Sequence, residues 1–231
     1  MILAFEFEYA ARNAVLENFL RAIASEAKRE FYIKKQNETI TLFARGDADE
    51  LKAFSDLLAA ELPLSIFLRA ASAKAVLEWK PDEASEIEPC EAVIGFTPKS
   101  LALAAQSGDF TIAPEIGRGA NLTGMPPIDD LITALREQGR VEIAGKYALS
   151  LPDERFCDQN AVIMPTDIGF VANIAIAKEE DIAALGALER PIVRLPINMI
   201  FAAAYPDAPR ITSVALAGDL YLCLLSRKLA E

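Results

Sequence analysis

The chain has 231 residues, of which 52% are hydrophobic and 25% are charged, and its net charge is −11. This composition is typical of a folded globular protein, and the negative charge argues against a nucleic-acid partner, because phosphate binding depends on clustered Lys and Arg. The absence of histidine removes the commonest general base near neutral pH and the commonest nitrogen ligand of zinc.

Residues 1–80 have the pattern of a β-α-β-β-α-β unit. Large apolar side chains alternate with small or charged ones over residues 3–9, which is the period of a half-buried strand. Asp47 and Glu50 have the spacing of a capping box, which marks the start of a helix. The other predicted elements, in chain order, are a helix over 12–28, strands over 31–35 and 39–45, and a strand over 64–70. This order predicts a ferredoxin-like sandwich.

An acidic stretch without apolar periodicity, residues 80–89, is predicted to be a linker. It would separate a domain of residues 1–80 from a domain of residues 90–231. The second domain is predicted to be α/β in character with a mixed sheet, which makes the fold class of the whole chain α+β. Its predicted helices cover 100–106, 128–138, 178–187, 198–204 and 219–229, and its predicted strands cover 92–96, 141–143, 147–149, 161–164, 171–175, 192–195 and 211–215. Pro191 is expected to end the helix over 178–187.

Several short motifs occur in a defined order in the second predicted domain. Residues 188–195 read Leu-Glu-Arg-Pro-Ile-Val-Arg-Leu, and they follow a predicted helix and precede a strand and a helix. Residues 128–141 are a helix and strand, followed by a glycine-containing strand turn at 144–149. This order resembles the YrdC-like domain of the hydrogenase maturation carbamoyltransferase family HypF. Residues 1–80 resemble the acylphosphatase-like domain with which members of that family begin.

The resemblance implies an acylphosphatase-like anion site whose residues are largely missing here. Such a site needs a loop of backbone N–H groups that ends in an Arg, and an Asn that orients the attacking water. The corresponding loop, residues 8–13, offers Arg12 but no glycine, and the strand that would carry the Asn reads Ile-Lys-Lys-Gln over residues 33–36.

The resemblance also implies a nucleotide site in the second domain, held by basic residues. Residues 152–160 contain one Arg among three acids instead, which disfavours a bound adenylate. The zinc-binding section of the family is absent, and Cys90, Cys157 and Cys223 form no C-x-x-C pair. We therefore predict no catalytic residue, no metal and no cofactor.

A glycine-containing loop supplies the remaining candidate site residues. Arg118 with Gly117 and Gly119, like Arg12, is a candidate for binding an anion. Arg118 with Leu122 and Met125 is a candidate contact with a protein partner, because a cation flanked by apolar groups is favoured at interfaces.

Two functional hypotheses remain open. The first is a non-catalytic, shortened HypF-related protein that binds a protein partner in NiFe hydrogenase maturation. The second is a small enzyme or sensor that binds an anionic metabolite or nucleotide. A convergent basic pocket would favour the second, and an exposed apolar patch without one would favour the first. No apolar run reaches the roughly 18 residues that span a bilayer, and Met1 opens a strand pattern without a basic leader, so we expect a cytoplasmic protein without a membrane partner.

Overall fold

A computed structural model describes residues 1–11, 15–78, 127–143, 147–153, 156, 158–218 and 220–230. The described residues fall into two compact units, one within 1–78 and one within 127–230. The linker predicted at 80–89 and the elements predicted between it and residue 126 lie outside the described residues. None of the helices in the described part of the chain is long and apolar enough to cross a membrane.

The first unit is a four-stranded antiparallel sheet with two helices. Its elements are β1 (Ile2–Tyr9), α1 (Val15–Glu26), β2 (Glu30–Gln36), β3 (Thr39–Arg45), α2 (Ala48–Glu61) and β4 (Leu68–Val76). The strand order is β2-β3-β1-β4, and every neighbouring pair is antiparallel. This order confirms the predicted ferredoxin-like sandwich.

Strand alternation decides which face of this sheet carries the helices. Phe5, Phe7 and Tyr9 of β1 are buried in one core cluster with the apolar faces of α1 and α2. Ile2 and Ala4, on the opposite face, belong to a separate small cluster. Both helices therefore pack on the same face, as the period of two in β1 requires.

Local signals in the sequence set the ends of several elements. The side chain of Asp47 accepts a hydrogen bond from the backbone N–H of Glu50, and the side chain of Glu50 accepts one from Asp47, so the predicted capping box is present. The hydrogen bond that Arg29 donates to Glu50 also lowers the pKa of this carboxyl. Asn37 has φ of 55° in the turn between β2 and β3, a conformation that Asn tolerates better than most residues.

The last strand of the first unit lies later in the chain than predicted. The expected range was 64–70, whereas β4 covers Leu68–Val76. The prediction followed the large apolar side chains near Leu64 and Phe67. Pairing with β1 decides the actual range, because Ile2 lies opposite Val76 and Tyr9 lies opposite Leu68. Tertiary pairing thus overrides the weak strand propensity of an alanine-rich segment.

The second unit contains a hairpin, a mixed three-stranded sheet and several short helices. Its helices are α3 (Ile128–Gln138), α4 (Val171–Ile174), α5 (Glu179–Gly186), α6 (Met199–Ala204) and α7 (Leu220–Ala230), and its strands are β5 (Arg140–Ile143), β6 (Tyr147–Ser150), β7 (Val162–Ile163), β8 (Val193–Pro196) and β9 (Ile211–Val214). The hairpin is β5-β6, and the sheet has the order β7-β9-β8. Since β7 is parallel to β9 and β8 is antiparallel to it, the predicted mixed sheet is confirmed.

One predicted strand of this unit is a helix. Residues 171–175 were expected to be extended, but Val171–Ile174 form α4 after a 3-10 turn at Ile168–Phe170. The side chain of Asp167 caps that turn by accepting a hydrogen bond from the N–H of Gly169 at 2.8 Å. Val171 and Ile174 are both buried, at a spacing that fits one face of a helix. A short apolar run fits the period of a strand and the period of a helix, and the cap formed by Asp167 favours the helix.

Pro191 does not have the role at the end of α5 that was predicted for it. This helix stops at Gly186, before Pro191, so proline is not what ends it. Ala187 and Leu188 are buried immediately after the helix, and Arg190 has φ of 48° in the following turn. The helix therefore ends within one residue of the predicted range of 178–187, and five residues before Pro191.

Candidate functional site

The residues predicted to form functional sites all lie outside the described residues. These are Arg12, Gly117, Arg118, Gly119, Leu122 and Met125. The anion-binding and partner-contact assignments made for them stay predictions. The described part of the chain nevertheless shows what lies beside the loop that contains Arg12.

A buried ion pair lies beside that loop. Nζ of Lys35, on β2, lies 3.2 Å from Oε1 of Glu17, on α1, and the two side chains are 6% and 1% exposed. Nζ also donates a hydrogen bond to the backbone carbonyl of Ala11 at 2.9 Å and lies 5.6 Å from the centre of the Tyr9 ring. The ammonium group of Lys35 is therefore surrounded by a carboxylate, a carbonyl and an aromatic face.

The carboxylate of Glu17 makes fewer favourable polar contacts than the ammonium group of Lys35. Among the described residues, neither of its oxygens has a hydrogen-bond partner of good geometry, although Lys35 is at ion-pair distance. Burial raises the pKa of Glu17, and the backbone N–H of Glu17 itself and the attraction of Lys35 oppose this effect only in part. The ionised carboxylate is thus costly to keep at this position.

This arrangement bears directly on the acylphosphatase-like expectation. Lys35 belongs to the strand segment that would carry the water-orienting Asn, and it extends toward the start of the loop. Its positive charge is already matched by Glu17, and the loop presents the carbonyl of Ala11 to it. An anion approaching the described part of this region would compete with a buried carboxylate for the same lysine, which is electrostatically unfavourable.

The sequence contains a signal for this pair, in the positions of its two residues. Lys35 lies two residues after Ile33 on β2, so the two side chains point to the same face of the sheet. Ile33 is buried in the core with the helices, and Lys35 therefore points toward the helices as well. Glu17 lies seven residues before the buried Ala24, and this spacing places it on the buried side of α1. A charged residue of each sign at inward positions predicts a buried ion pair.

A second candidate site is the exposed side of the sheet β7-β9-β8, called the outer face below. Leu195 and Val214 are buried on the other side of this sheet, in the core. The outer face carries apolar side chains of β-branched residues and a proline, namely Val162, Ile176, Ile192, Pro196 and Ile211. Ile176, Ile192 and Ile211 are 62%, 60% and 53% exposed.

Three of these residues form one continuous row across the outer face. Pro196 lies directly opposite Ile211 on β9. On its other side, the carbonyl of Pro196 accepts a hydrogen bond from the N–H of Ile176 at 2.8 Å, next to the bridge between Ala175 and Ile197. Residues opposite each other in antiparallel strands point to the same face. The row is therefore an exposed apolar surface rather than a set of scattered side chains.

Two exposed arginines lie close to this row along the chain. Arg194 lies two residues before Pro196 on the same face, and Arg210 directly precedes Ile211. Both are exposed, and neither forms an ion pair with any of the described residues. In a chain with a net charge of −11, Arg194 places an exposed cation on the outer face.

A shallow cavity of about 420 Å³ lies on the face of the first sheet that is turned away from the helices. Its lining includes Lys34, Lys74 and Glu6, with the hydroxyl groups of Thr39 and Thr41. Glu6 lies 2.7 Å from Lys74 and matches its charge. Among the described residues, no group of acids and cysteines has the arrangement of a metal site.

Comparison with known proteins gives structural similarity only. No protein-family model matches the chain, and no curated protein matches it. Among solved structures, it is similar to full-length HypF in a phosphate- and nucleotide-bound form (15% identity, TM-score 0.47) and to HypF of T. kodakarensis (13% identity, TM-score 0.38). Each match covers 97% of this chain and 41% of the HypF chain. The chain thus spans less than half of the HypF structures.

A further match concerns the first unit. The chain is similar to acylphosphatase from Bacillus subtilis at 15% identity and a TM-score of 0.26. This match covers 34% of the chain and 90% of the acylphosphatase.

Proposed function

We propose that this protein is a non-catalytic, HypF-related accessory protein that binds a protein partner through the outer face. The observation that carries the proposal is the continuous row formed by Ile176, Pro196 and Ile211, which is apolar and exposed. Exposed apolar surface of this kind marks interaction sites more often than chance, because leaving it in water has a cost. We further propose that the partner acts in NiFe hydrogenase maturation and that the protein is cytoplasmic.

The buried ion pair supports the non-catalytic part of the proposal. Acyl phosphate chemistry requires uncompensated donors that stabilise a developing negative charge. Nζ of Lys35 donates a hydrogen bond to the carbonyl of Ala11, at the loop of the acylphosphatase-like site, and Glu17 has already matched its charge. A protein that keeps this framework without its anion-binding groups retains a scaffold for contacts rather than for a reaction.

The charge of the outer face indicates the chemistry of the partner surface. Arg194 and Arg210 have no ionic partner among the described residues, so a partner with carboxylates beside an apolar stripe would complement them. We propose that the predicted contact residues Arg118, Leu122 and Met125 provide a second region of contact.

The experiment is affinity purification of the full chain from the cells that encode it, after cross-linking in the cell. Ile192→Asp and Ile211→Asp should each reduce recovery of the partner at least tenfold, because each places a carboxylate in the apolar surface. Leu64→Asp is the matched control, since Leu64 is 67% exposed but belongs to the first unit. Equal recovery with all three variants would contradict the outer face as the binding surface.

Charge reversal tests the partner chemistry separately. Arg194→Glu should weaken recovery strongly, whereas Arg194→Lys should retain most of it, and recovery of the wild-type complex should fall as salt increases. A partner that is recovered equally well with Arg194→Glu would not have the acidic surface that we propose.

The predicted contact region is tested by substituting Arg118 and Leu122 together with Ala. The melting temperature should stay nearly unchanged while recovery of the partner decreases. Unchanged recovery, or a variant that unfolds, would remove these residues from the interface.

One observation favours the alternative of an anion-binding sensor or enzyme, namely the cavity beside Lys34, Lys74, Thr39 and Thr41. Binding of carbamoyl phosphate or ATP, measured by calorimetry with the full chain, tests it. Affinity in the micromolar range that is lost in Lys74→Ala would favour the alternative over the partner-binding proposal.

A further inference from the structure

We infer that β4 is a dimerisation strand, whose free edge pairs with β4 of a second copy of this chain. Among the strands in the described part of the chain, the order β2-β3-β1-β4 leaves β4 with a neighbour on one side only. β4 is nine residues long and contains no proline, and all residues over 69–75 are exposed. Such an edge presents a row of backbone N–H and C=O groups that another strand can bind.

The charged residues that usually protect an edge are held away from it. β4 carries two cations, Arg69 and Lys74. Nη1 of Arg69 lies 2.8 Å from Oε2 of Glu38, which follows β2, and Nζ of Lys74 lies 2.7 Å from Oε1 of Glu6 on β1. Both acids lie on the side of β4 that faces the rest of the sheet. The two positive charges are therefore matched within one protomer and drawn inward from the free edge.

The register within the sheet determines which residues of β4 offer their backbone groups to a partner. Tyr9 donates its N–H to Glu38, on the β3 side of β1. By alternation, the even-numbered residues of β1 point their backbone groups toward β4, where Glu6 lies opposite Ser72 and Ala4 lies opposite Lys74. Ala71, Ala73 and Ala75 consequently point their N–H and C=O groups outward.

These three residues fit a symmetric antiparallel pair. With a two-fold axis at Ala73, Ala73 lies opposite its own copy, and Ala71 lies opposite Ala75 of the other protomer. This register forms about six hydrogen bonds between the protomers. The paired segment does not include the part of β4 near Leu68, where the pairing with β1 is irregular. Lys74 lies opposite Ser72, so no two like charges face each other. Small side chains on both faces of β4 leave room for a continuous eight-stranded sheet.

A second copy is the partner that these features favour. The strand is neutral once its cations are matched, so it does not select a charged peptide, and its sequence is compatible with itself in the register above. This dimer does not depend on the outer face, because it uses only β4. Variants of Ile192 or Ile211 should therefore leave it intact.

The first test is the mass of the full chain in solution, measured by light scattering during size-exclusion chromatography. We expect twice the chain mass of 25.1 kDa at micromolar concentrations. Ala73→Glu and Ala73→Lys should each be monomeric alone, because like charges then meet at the axis, and a mixture of the two should again give a dimer. A monomeric wild-type protein, or a dimer unaffected by either variant, would overturn the inference.

Cysteine substitution tests the register. Ala73→Cys should form a disulfide-linked dimer under mild oxidation, because opposite Cα atoms in such a pair are about 5.5 Å apart. Ala75→Cys is the matched control on the same face, and its own copy would lie about 14 Å away at about 3.4 Å per residue. Equal cross-linking of both variants, measured against the wild-type background on a non-reducing gel, would contradict the proposed axis.

Discussion

Nζ of Lys35, on β2, lies 3.2 Å from Oε1 of Glu17, on α1, and both side chains are buried. The two side chains of this pair differ in how many favourable contacts they make. Lys35 has a carbonyl and an aromatic ring as further partners, whereas no described residue gives the Glu17 carboxylate a well-oriented hydrogen bond. This difference determines how a substitution of each side chain should change the free energy of unfolding.

Removing the lysine should be the more damaging change. Lys35→Met leaves the buried Glu17 without its cation, and we expect a loss of about 3 kcal/mol in the free energy of unfolding at pH 7. Glu17→Gln in the same background should restore most of this loss, because no buried charge then remains. Urea unfolding of the single and double variants measures both effects. An additive double variant would show that the two side chains do not interact.

The pH dependence of stability should reveal the raised pKa of Glu17. Because burial raises the pKa in the folded state, the folded protein binds more protons than the unfolded chain between the unfolded and folded pKa values. The contribution of Glu17 to stability therefore decreases as pH rises through this interval. The difference in unfolding free energy between wild type and Glu17→Gln, measured from about pH 4 upward, should follow that direction. A difference that grows in favour of the wild type with rising pH would mean that Lys35 outweighs the effect of burial.

The start of α2 offers an independent test of local structure. Asp47→Ala removes the side chain that caps this helix and should reduce the unfolding free energy by about 1 kcal/mol. Asp56→Ala, in the exposed middle of the same helix, is the control and should change it by less than about 0.5 kcal/mol. Thermal unfolding of both variants measures these two losses of stability. Similar losses in the two would mean that the helix depends on overall charge rather than on its cap.

The purified protein should neither hydrolyse acyl phosphates nor form adenylates from ATP and carbamoyl phosphate. Loss of a single oriented donor to a developing charge typically slows such reactions about a hundredfold or more. Phosphate release from acetyl phosphate and pyrophosphate release from ATP are suitable assays. Turnover above background that disappears in Arg12→Ala would refute a non-catalytic role.

Much of the fold could be predicted because periodicity reports which side of an element is buried. The alternation in β1 and the capping box at Asp47 each depend on interactions within a few residues. Such interactions are visible in one sequence. The strand predicted at 171–175 was wrong because a short apolar run fits a helix and a strand equally well, and only the cap formed by Asp167 separates them.

The sequence by itself determined the order of elements in the first unit and the start of α2 at its capping box. Tertiary structure alone decided the range of β4, the pairing of Glu17 with Lys35, and the row of Ile176, Pro196 and Ile211 on the outer face. The physical reason is distance along the chain. Caps and alternation join residues a few positions apart, whereas each of these three features joins residues that meet only when separate elements pack and their strands pair.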